Sequence, residues 1–111
     1  MLENSNGKLL VYASGFISSE KRFSSVSEAV EKIARLLNLN FEVVTCEEEV
    51  EPIYVYYKNG EEDPVPIYCD KGEKASLKEV YSALRSMMFV LSFHPRYSAL
   101  KNMRRRIMRF S

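Results

Sequence analysis

Three strand-like segments follow one another in the middle of the chain, and a capped amphipathic helical pattern stands on each side of them. The segments span residues 41–48, 52–58 and 65–69, and each is rich in β-branched or aromatic residues. A further segment of this kind, residues 9–16, precedes the first helical pattern. Strands grouped between helices are typical of α+β domains, in which a mostly antiparallel sheet carries its helices on one face.

Two of these segments carry more detailed signals. In residues 52–58 the alternation places Ile53, Val55 and Tyr57 on one face of a strand, and Tyr54 and Tyr56 on the other. The next strand contains Pro66, which has no N–H to donate to a neighbour. We therefore expect residues 65–69 to form an edge strand. Asn59-Gly60 predicts a turn between the two strands, and the acidic residues 61–63 that follow favour a loop longer than a tight hairpin.

The helices are predicted from their capping signals. Ser25 with Glu28, and Ser76 with Glu79, both match the capping box, in which the serine and the glutamate satisfy amides of the first turn. Apolar residues then recur at helical spacing in each segment, and Asn38 supplies a residue suited to the left-handed backbone at a helix end. Pro95 disfavours helical backbone at His94 and predicts a break there, after which residues 96–110 resume as a short helix.

Together these signals predict one domain with the order β-α-β-β-β-α-α. We expect a two-layer α+β sandwich whose mostly antiparallel sheet has about four strands and carries two to three helices on one face. The chain has 111 residues, the size of one domain. Residues 1–7 are interpreted as a flexible N-terminal leader and residues 8–111 as the domain, in which 96–111 form a basic amphipathic C-terminal helix.

Charge is strongly segregated along the chain, although the formal net charge is only +1. Residues 42–79 hold eleven acids against four lysines, a balance of −7, whereas no acid follows Glu79 and the last 32 residues carry +7. Clustered arginines are suited to nucleic-acid phosphates. The tentative phosphate-binding residues are Lys101, Arg104, Arg105, Arg106 and Arg109. The competing interpretation is that these cations form the solvated side of a terminal helix, or pair with the acidic loops of the same chain.

Aromatic and apolar residues suggest a second kind of surface. The end of the helix near residues 87–93 is apolar nearly all round, as expected of a helix that is buried on several sides or docked to a partner. A two-layer domain also leaves one sheet face uncovered, so some strand tyrosines should be exposed, and the acidic flanks of these strands disfavour phosphate there. The tentative protein interface comprises Tyr54, Tyr56, Met87, Phe89, Phe93, Tyr97, Met103, Ile107 and Phe110.

The sequence offers no catalytic constellation and no cofactor site. His94 is the single histidine, Cys46 and Cys69 lack metal-ligand spacing, and the four glycines are isolated from one another. We therefore expect no metal, no cofactor and no enzymatic activity. No apolar run approaches the length of a membrane span, and no secretory signal is visible, so a cytoplasmic protein without membrane contact is expected.

Three functional hypotheses follow. The leading one is a small non-enzymatic interaction domain that binds a protein partner or a second copy of itself. The alternative is a nucleic-acid-binding module whose C-terminal arginines hold phosphates. The third is a carrier of a small apolar ligand, with Met87, Met88 and Phe89 lining a cavity between helix and sheet.

Overall fold

The computed structural model describes residues 7–17, 20–72 and 76–94, together with Tyr97, Leu100, Arg104 and Ile107. Its strands are β1 (Lys8–Ser14), β2 (Asn40–Cys46), β3 (Ile53–Lys58) and β4 (Val65–Asp70). Its helices are α1 (Lys21–Leu36) and α2 (Leu77–Leu91), and a short 3-10 helix, Gly15–Ile17, follows β1. In the C-terminal segment, Leu100, Arg104 and Ile107 have helical conformation, while the other residues predicted to form that helix lie outside the described part of the chain.

The four strands form one mixed sheet in the order β2-β1-β3-β4. β1 pairs with β2 in parallel, and β3 pairs with both β1 and β4 in antiparallel fashion. The predicted α+β class and the mostly antiparallel sheet are confirmed. The parallel pair follows from α1, because two adjacent parallel strands need a crossover long enough to return the chain to the same end of the sheet. Pro66 lies on the edge strand β4, as the sequence predicts.

Both helices cover the same face of the sheet. The alternating burial of β1 and β3 places Leu9 and Val11 beside Val55 and Tyr57 in the core, all at 0% exposure. α1 packs on β1 and β2, and α2 packs on β4 and on α1. The C-terminal segment completes this core, since Tyr97, Leu100 and Ile107 are 5%, 0% and 2% exposed. These three positions of the segment are therefore docked against the domain.

The two capping-box predictions have opposite outcomes. Ser76 is the N-cap of α2, and both bonds of the box are present: the Glu79 amide donates to Ser76 Oγ at 3.2 Å, and the Ser76 amide donates to Glu79 Oε1 at 2.8 Å. The prediction at Ser25 is wrong, because α1 begins one turn earlier at Lys21 and Ser25 lies inside the helix. The N-cap Glu20 makes no side-chain cap bond. Arg22 and Phe23 hold this extra turn in place through contacts with the rest of the domain.

Several boundaries differ from the sequence expectation by a few residues. β4 extends one residue beyond the predicted strand 65–69, because Asp70 is its last residue and is 1% exposed. α2 ends at Leu91, three residues before the predicted break at His94. Gly7, assigned to a flexible leader, adopts a positive φ of 106°, and its carbonyl accepts a bond from the Asn40 amide at 3.1 Å. Gly7 is thus tied to the start of β2, and residues 1–6 lie outside the described part of the chain.

The predicted turn residues behave as expected where a left-handed backbone is needed. Asn38 has φ 59°, immediately after the C-terminal turn of α1. Gly60 has φ 62° in the loop between β3 and β4, whereas Asn59 is not among the residues with positive φ. This loop runs from residue 59 to residue 64, so the predicted long connection between the strands is confirmed.

Candidate interaction surface

The open face of the sheet, opposite the helices, carries a cluster of three tyrosines. The register of β1 with β3 places Tyr12 opposite Tyr54, and Leu10 opposite Tyr56. The Tyr12 and Tyr56 rings lie 6.4 Å apart at 61°, and the Tyr54 and Tyr56 rings 6.2 Å apart at 71°. These are edge-to-face arrangements, in which the positive edge of one ring meets the negative face of the next. Tyr12, Tyr54 and Tyr56, here called the tyrosine cluster, therefore hold one another in position.

The cluster lies within a broader apolar surface. Tyr12 is 43% exposed, and Tyr54 and Tyr56 are half-buried. Partners in the register share a face, so Val44 of β2 lies beside Tyr12, while Cys69 and Pro66 of β4 lie beside Tyr54 and Tyr56. No described helix covers this side. An aromatic surface of this composition is typical of protein interfaces, where tyrosine is enriched.

Two lysines at the border of the open face already have partners within the chain. The Lys8 ammonium lies 3.2 Å from Glu42 Oε1 across the β1–β2 pair. The Lys58 ammonium donates to the carbonyl oxygens of Gly60 and Glu62, at 2.9 and 3.1 Å, and so fastens the β3–β4 loop. Neither cation projects freely over the tyrosine cluster.

Acidic loops flank the open face at both ends. Glu47, Glu48, Glu49 and Glu51 follow β2, and residues 61–63 follow β3. Because β2 runs parallel to β1 and β3 runs antiparallel to it, these two groups lie at opposite ends of the sheet. A phosphate backbone crossing the tyrosine cluster along the strands would meet negative charge at either end. The border of the open face is therefore acidic at both ends of its strands.

A second exposed apolar patch lies at the end of α2. Val90 and Phe93 are 59% and 57% exposed, and the Phe93 ring contacts Phe89 edge-to-face at 5.1 Å. The guanidinium of Arg104 lies over the Phe93 ring, with Cζ 3.7 Å from its centroid. Arg104 also donates to the Ser92 carbonyl at 2.9 Å and to Ser92 Oγ at 3.2 Å. One of the predicted phosphate-binding arginines thus covers one of the predicted interface phenylalanines.

The other residues that the sequence assigns to an interface lie partly at the surface and partly in the core. Met87 and Phe89 are half-buried and pack partly against the core. Tyr97 and Ile107 are core residues rather than surface residues, which corrects their assignment to an interface: Tyr97 stacks edge-to-face on Tyr57 at 5.4 Å. Outside the described part of the chain lie the remaining predicted site residues, Lys101, Met103, Arg105, Arg106, Arg109 and Phe110.

The sequence interpretation missed a buried ionic cluster at the end of the sheet near the start of α1. Arg22 contacts three carboxylates: Glu20 Oε1 at 3.0 Å, Asp70 Oδ1 at 3.3 Å and Glu51 Oε2 at 3.5 Å. It also donates to the carbonyl oxygens of Asp70 and Glu51. The side chains of Arg22 and Asp70 are 10% and 1% exposed. The cluster joins α1, β4 and the β2–β3 loop, which is a structural role.

One sequence signal for this cluster was available. In Asp70-Lys71-Gly72, an aspartate stands two residues before a glycine, the spacing of a turn in which the carboxylate accepts from the backbone. The Gly72 amide donates to Asp70 Oδ1 at 2.8 Å, and Gly72 has φ 108°. The other oxygen, Oδ2, has no hydrogen-bond partner among the described residues. The contact with Arg22, 48 residues away in the sequence, had no local signal.

Tyr57 supplies a pH-dependent part of the stability. Burial raises the pKa of its hydroxyl to about 12, and the neighbouring Tyr97 and Glu62 act in the same direction. The unfolded chain, with a tyrosine pKa near 10, releases this proton first, so the stabilisation is complete below pH 10 and is lost as the pH rises toward 12. We expect a loss of about 1 kcal/mol from this group between pH 9 and pH 11. Urea unfolding of the protein and of Tyr57→Phe at both pH values measures it. An equal pH dependence in the two proteins would contradict the assignment.

Other kinds of site find little support in the described residues. They contain no cluster of three or more His, Cys, Asp or Glu side chains able to hold a metal ion. A shallow cleft between α1, α2 and Ile107 has a free volume of about 10 Å³, lined chiefly by Ile33, Leu37, Tyr81, Arg85 and Met88. A small-molecule site needs roughly 300 Å³ or more, so this cleft is too small to hold an apolar ligand. None of the helices described is long and apolar enough to cross a membrane.

No family model, no curated protein and no solved structure matches the chain. Function must therefore be inferred from the surfaces themselves.

Proposed function

We propose that this chain is a non-enzymatic interaction domain that binds a protein partner through the open face of its sheet. The tyrosine cluster is the observation that supports this most directly. Its rings are arranged edge-to-face, stand on the two central strands, and lie on the side of the sheet that no described helix covers. Tyrosine in such a position provides a large contact area at a low cost in side-chain entropy.

The charges around the open face indicate the chemistry of the partner. Acidic loops stand at both ends of the strands, and the two lysines at the border are paired within the chain. A partner segment with an apolar centre and lysine or arginine on its borders complements this pattern. Phosphate groups do not. The open face therefore supports binding to protein rather than to nucleic acid.

The nucleic-acid alternative rests on the C-terminal arginines. Four of the five residues assigned to it lie outside the described part of the chain. The fifth, Arg104, places its guanidinium on Phe93 and on the Ser92 carbonyl, where it stabilises the end of α2. Arg104 must break these contacts before the two terminal nitrogens of its guanidinium can bind a phosphate. No described contact favours this function over protein binding.

Random-peptide display on the folded domain tests the proposal. We expect the selected peptides to be apolar with basic borders, and to bind Tyr12→Ser/Tyr56→Ser at least about tenfold more weakly, because this variant removes two of the three rings. Val90→Ser, which changes an exposed apolar residue on α2, away from the open face, is the control and should bind normally.

Two results would contradict the proposal. One is peptide binding that is the same in the tyrosine variant and in the Val90→Ser control. The other is salt-sensitive binding of a labelled single-stranded RNA, titrated in parallel, that persists in the tyrosine variant. The second result would support the arginine-based alternative.

A further inference from the structure

The edge strand β2 has an unpaired outer side in the part of the chain that the structure describes. The Asn40 amide donates to the Gly7 carbonyl, so the peptide groups of Asn40 point toward β1. Peptide groups alternate in direction along a strand, and those of Phe41, Val43 and Thr45 therefore point outward. Unpaired N–H and C=O groups at a sheet edge are a template for another strand.

The two edges of the sheet differ in their protection. On β4, Pro66 has no N–H, and a register irregularity at Val55/Tyr56 disturbs the pairing with β3. β2 is seven residues long, contains neither proline nor lysine, and pairs with β1 along its whole length without a bulge. Val43, on its helix side, is 39% exposed at a position where the equivalent residues of β1 are fully covered. Of the two edge strands in the described part of the chain, β2 is the one that carries an exposed large apolar side chain, Val43, beside outward backbone groups.

We propose that β2 pairs with β2 of a second copy, antiparallel about a two-fold axis at Val43, to form a continuous eight-stranded sheet. In this register Val43 faces Val43 of the other copy, and Phe41 faces Thr45. All the outward groups of the strand are then satisfied, in about six hydrogen bonds. The register centred on Glu42 would instead place two carboxylates opposite each other, which is unfavourable.

The charges at the two ends of β2 are compatible with the same register. Glu47 and Glu48, directly after β2, come beside Leu39 and Asn38 of the second copy. The Leu39 amide donates to the Ala34 carbonyl at 2.7 Å, which places Leu39 next to the last turn of α1 and its cation, Arg35. Lys8 pairs in register with Asn40 on the same end of the sheet. Lys8 and Arg35 are paired with Glu42 and Glu31 of their own copy, at 3.2 and 2.8 Å, so Glu47 and Glu48 of the second copy would join these existing ion pairs. The two-fold axis repeats this arrangement.

This interface is separate from the open face. It uses the edge of β2 rather than the tyrosine cluster, and an eight-stranded sheet would carry two tyrosine clusters on one continuous surface. The dimer therefore does not require the proposed partner, and the partner does not require the dimer.

Sedimentation velocity of the intact chain across a concentration series tests the proposal. We expect a monomer–dimer equilibrium that Val43→Pro shifts to monomer, with the dissociation constant raised at least about 100-fold, because proline removes the central outward N–H but none that pairs with β1. Val43→Lys, which would place two ammonium groups opposite each other, is expected to do the same. If circular dichroism shows that Val43→Pro is unfolded, the Val43→Lys variant alone tests the dimer. Val90→Lys, the same change at an exposed valine on α2, is the matched control and should leave the dimer unchanged.

A folded chain that remains monomeric at millimolar concentration would overturn the proposal. So would a dimer that persists in both Val43 variants. The peptide-binding measurement on Val43→Lys separates the two proposals. If this variant is monomeric and still binds peptide, the result supports both the open-face function and the β2 interface. If no variant binds peptide, the result contradicts only the open-face function.

Discussion

Leu100→Ala is expected to lower the free energy of unfolding by about 2–5 kcal/mol, the range found for truncating a buried leucine. Leu100 is 0% exposed and belongs to the same core as Tyr57 and Met88. The loss combines the transfer free energy of the removed atoms with the cavity that remains. Urea denaturation followed by circular dichroism measures the change through the shift of the midpoint at constant m-value.

The control for this experiment is Val90→Ala on α2. Val90 is apolar but 59% exposed, and its truncation should change the free energy of unfolding by no more than about 0.5 kcal/mol. If Leu100→Ala is as mild as the control, the C-terminal segment does not contribute to the core. A large effect, in contrast, means that truncating the chain before this segment would unfold the domain rather than simply remove its arginines.

Arg22→Ala is expected to lower the free energy of unfolding by about 3–5 kcal/mol, because it leaves the Asp70 carboxylate buried without its cation. Asp70 is 1% exposed and keeps only the bond from the Gly72 amide in this variant. The β2–β3 loop would also lose the guanidinium that binds Glu51. The same urea measurement gives the magnitude.

Arg35→Ala is the matched control for Arg22→Ala. Arg35 lies on the same helix and pairs with Glu31 at 2.8 Å, but the two side chains are 75% and 52% exposed, so the expected loss is below about 0.5 kcal/mol. In the double variant Arg22→Ala/Asp70→Ala the unpaired charge is gone, and we expect a smaller loss than the sum of the two single variants. If the losses of the two single variants add exactly in the double variant, the ion pair between Arg22 and Asp70 is not the cause of the loss in stability.

The two capping boxes show how far local signals reach. Ser76 and Glu79 satisfy each other within one turn, so the four residues alone determine where α2 begins. Ser25 and Glu28 have the same spacing, yet α1 extends a turn further, because Arg22 binds Asp70 and Glu51 from distant parts of the chain. A motif predicts a helix end only when no tertiary contact stabilises a longer helix.

The sheet shows the same division between local and distant information. The alternation of Ile53, Val55 and Tyr57 was sufficient to predict which face of β3 is buried. The position of β1 between β2 and β3 was not predictable, since it depends on pairings between strands about 30 to 50 residues apart. Fold class therefore followed from the order of elements, whereas strand order required the structure.

The sequence predicts part of the candidate interaction surface. Tyr54 and Tyr56 were assigned to an exposed face from their own strand, and both lie on the open face. Tyr12 is not predicted to lie on this face, because it comes next to Tyr54 and Tyr56 only when β1 pairs with β3. Tyr97 and Ile107 were assigned to a surface from helical spacing, which identifies an apolar side of a helix without showing that this side meets the core of the same chain.

The central position of β1 has a consequence for biosynthesis. Of the four strands described, β1 leaves the ribosome before the others and becomes an interior strand of the finished sheet, and its antiparallel neighbour ends only at Lys58. While the chain is being made, Leu9 and Val11 must stay without their final covering until the segment up to Lys58 has emerged. The core is therefore expected to close only once α2 and Leu100 have also left the exit tunnel.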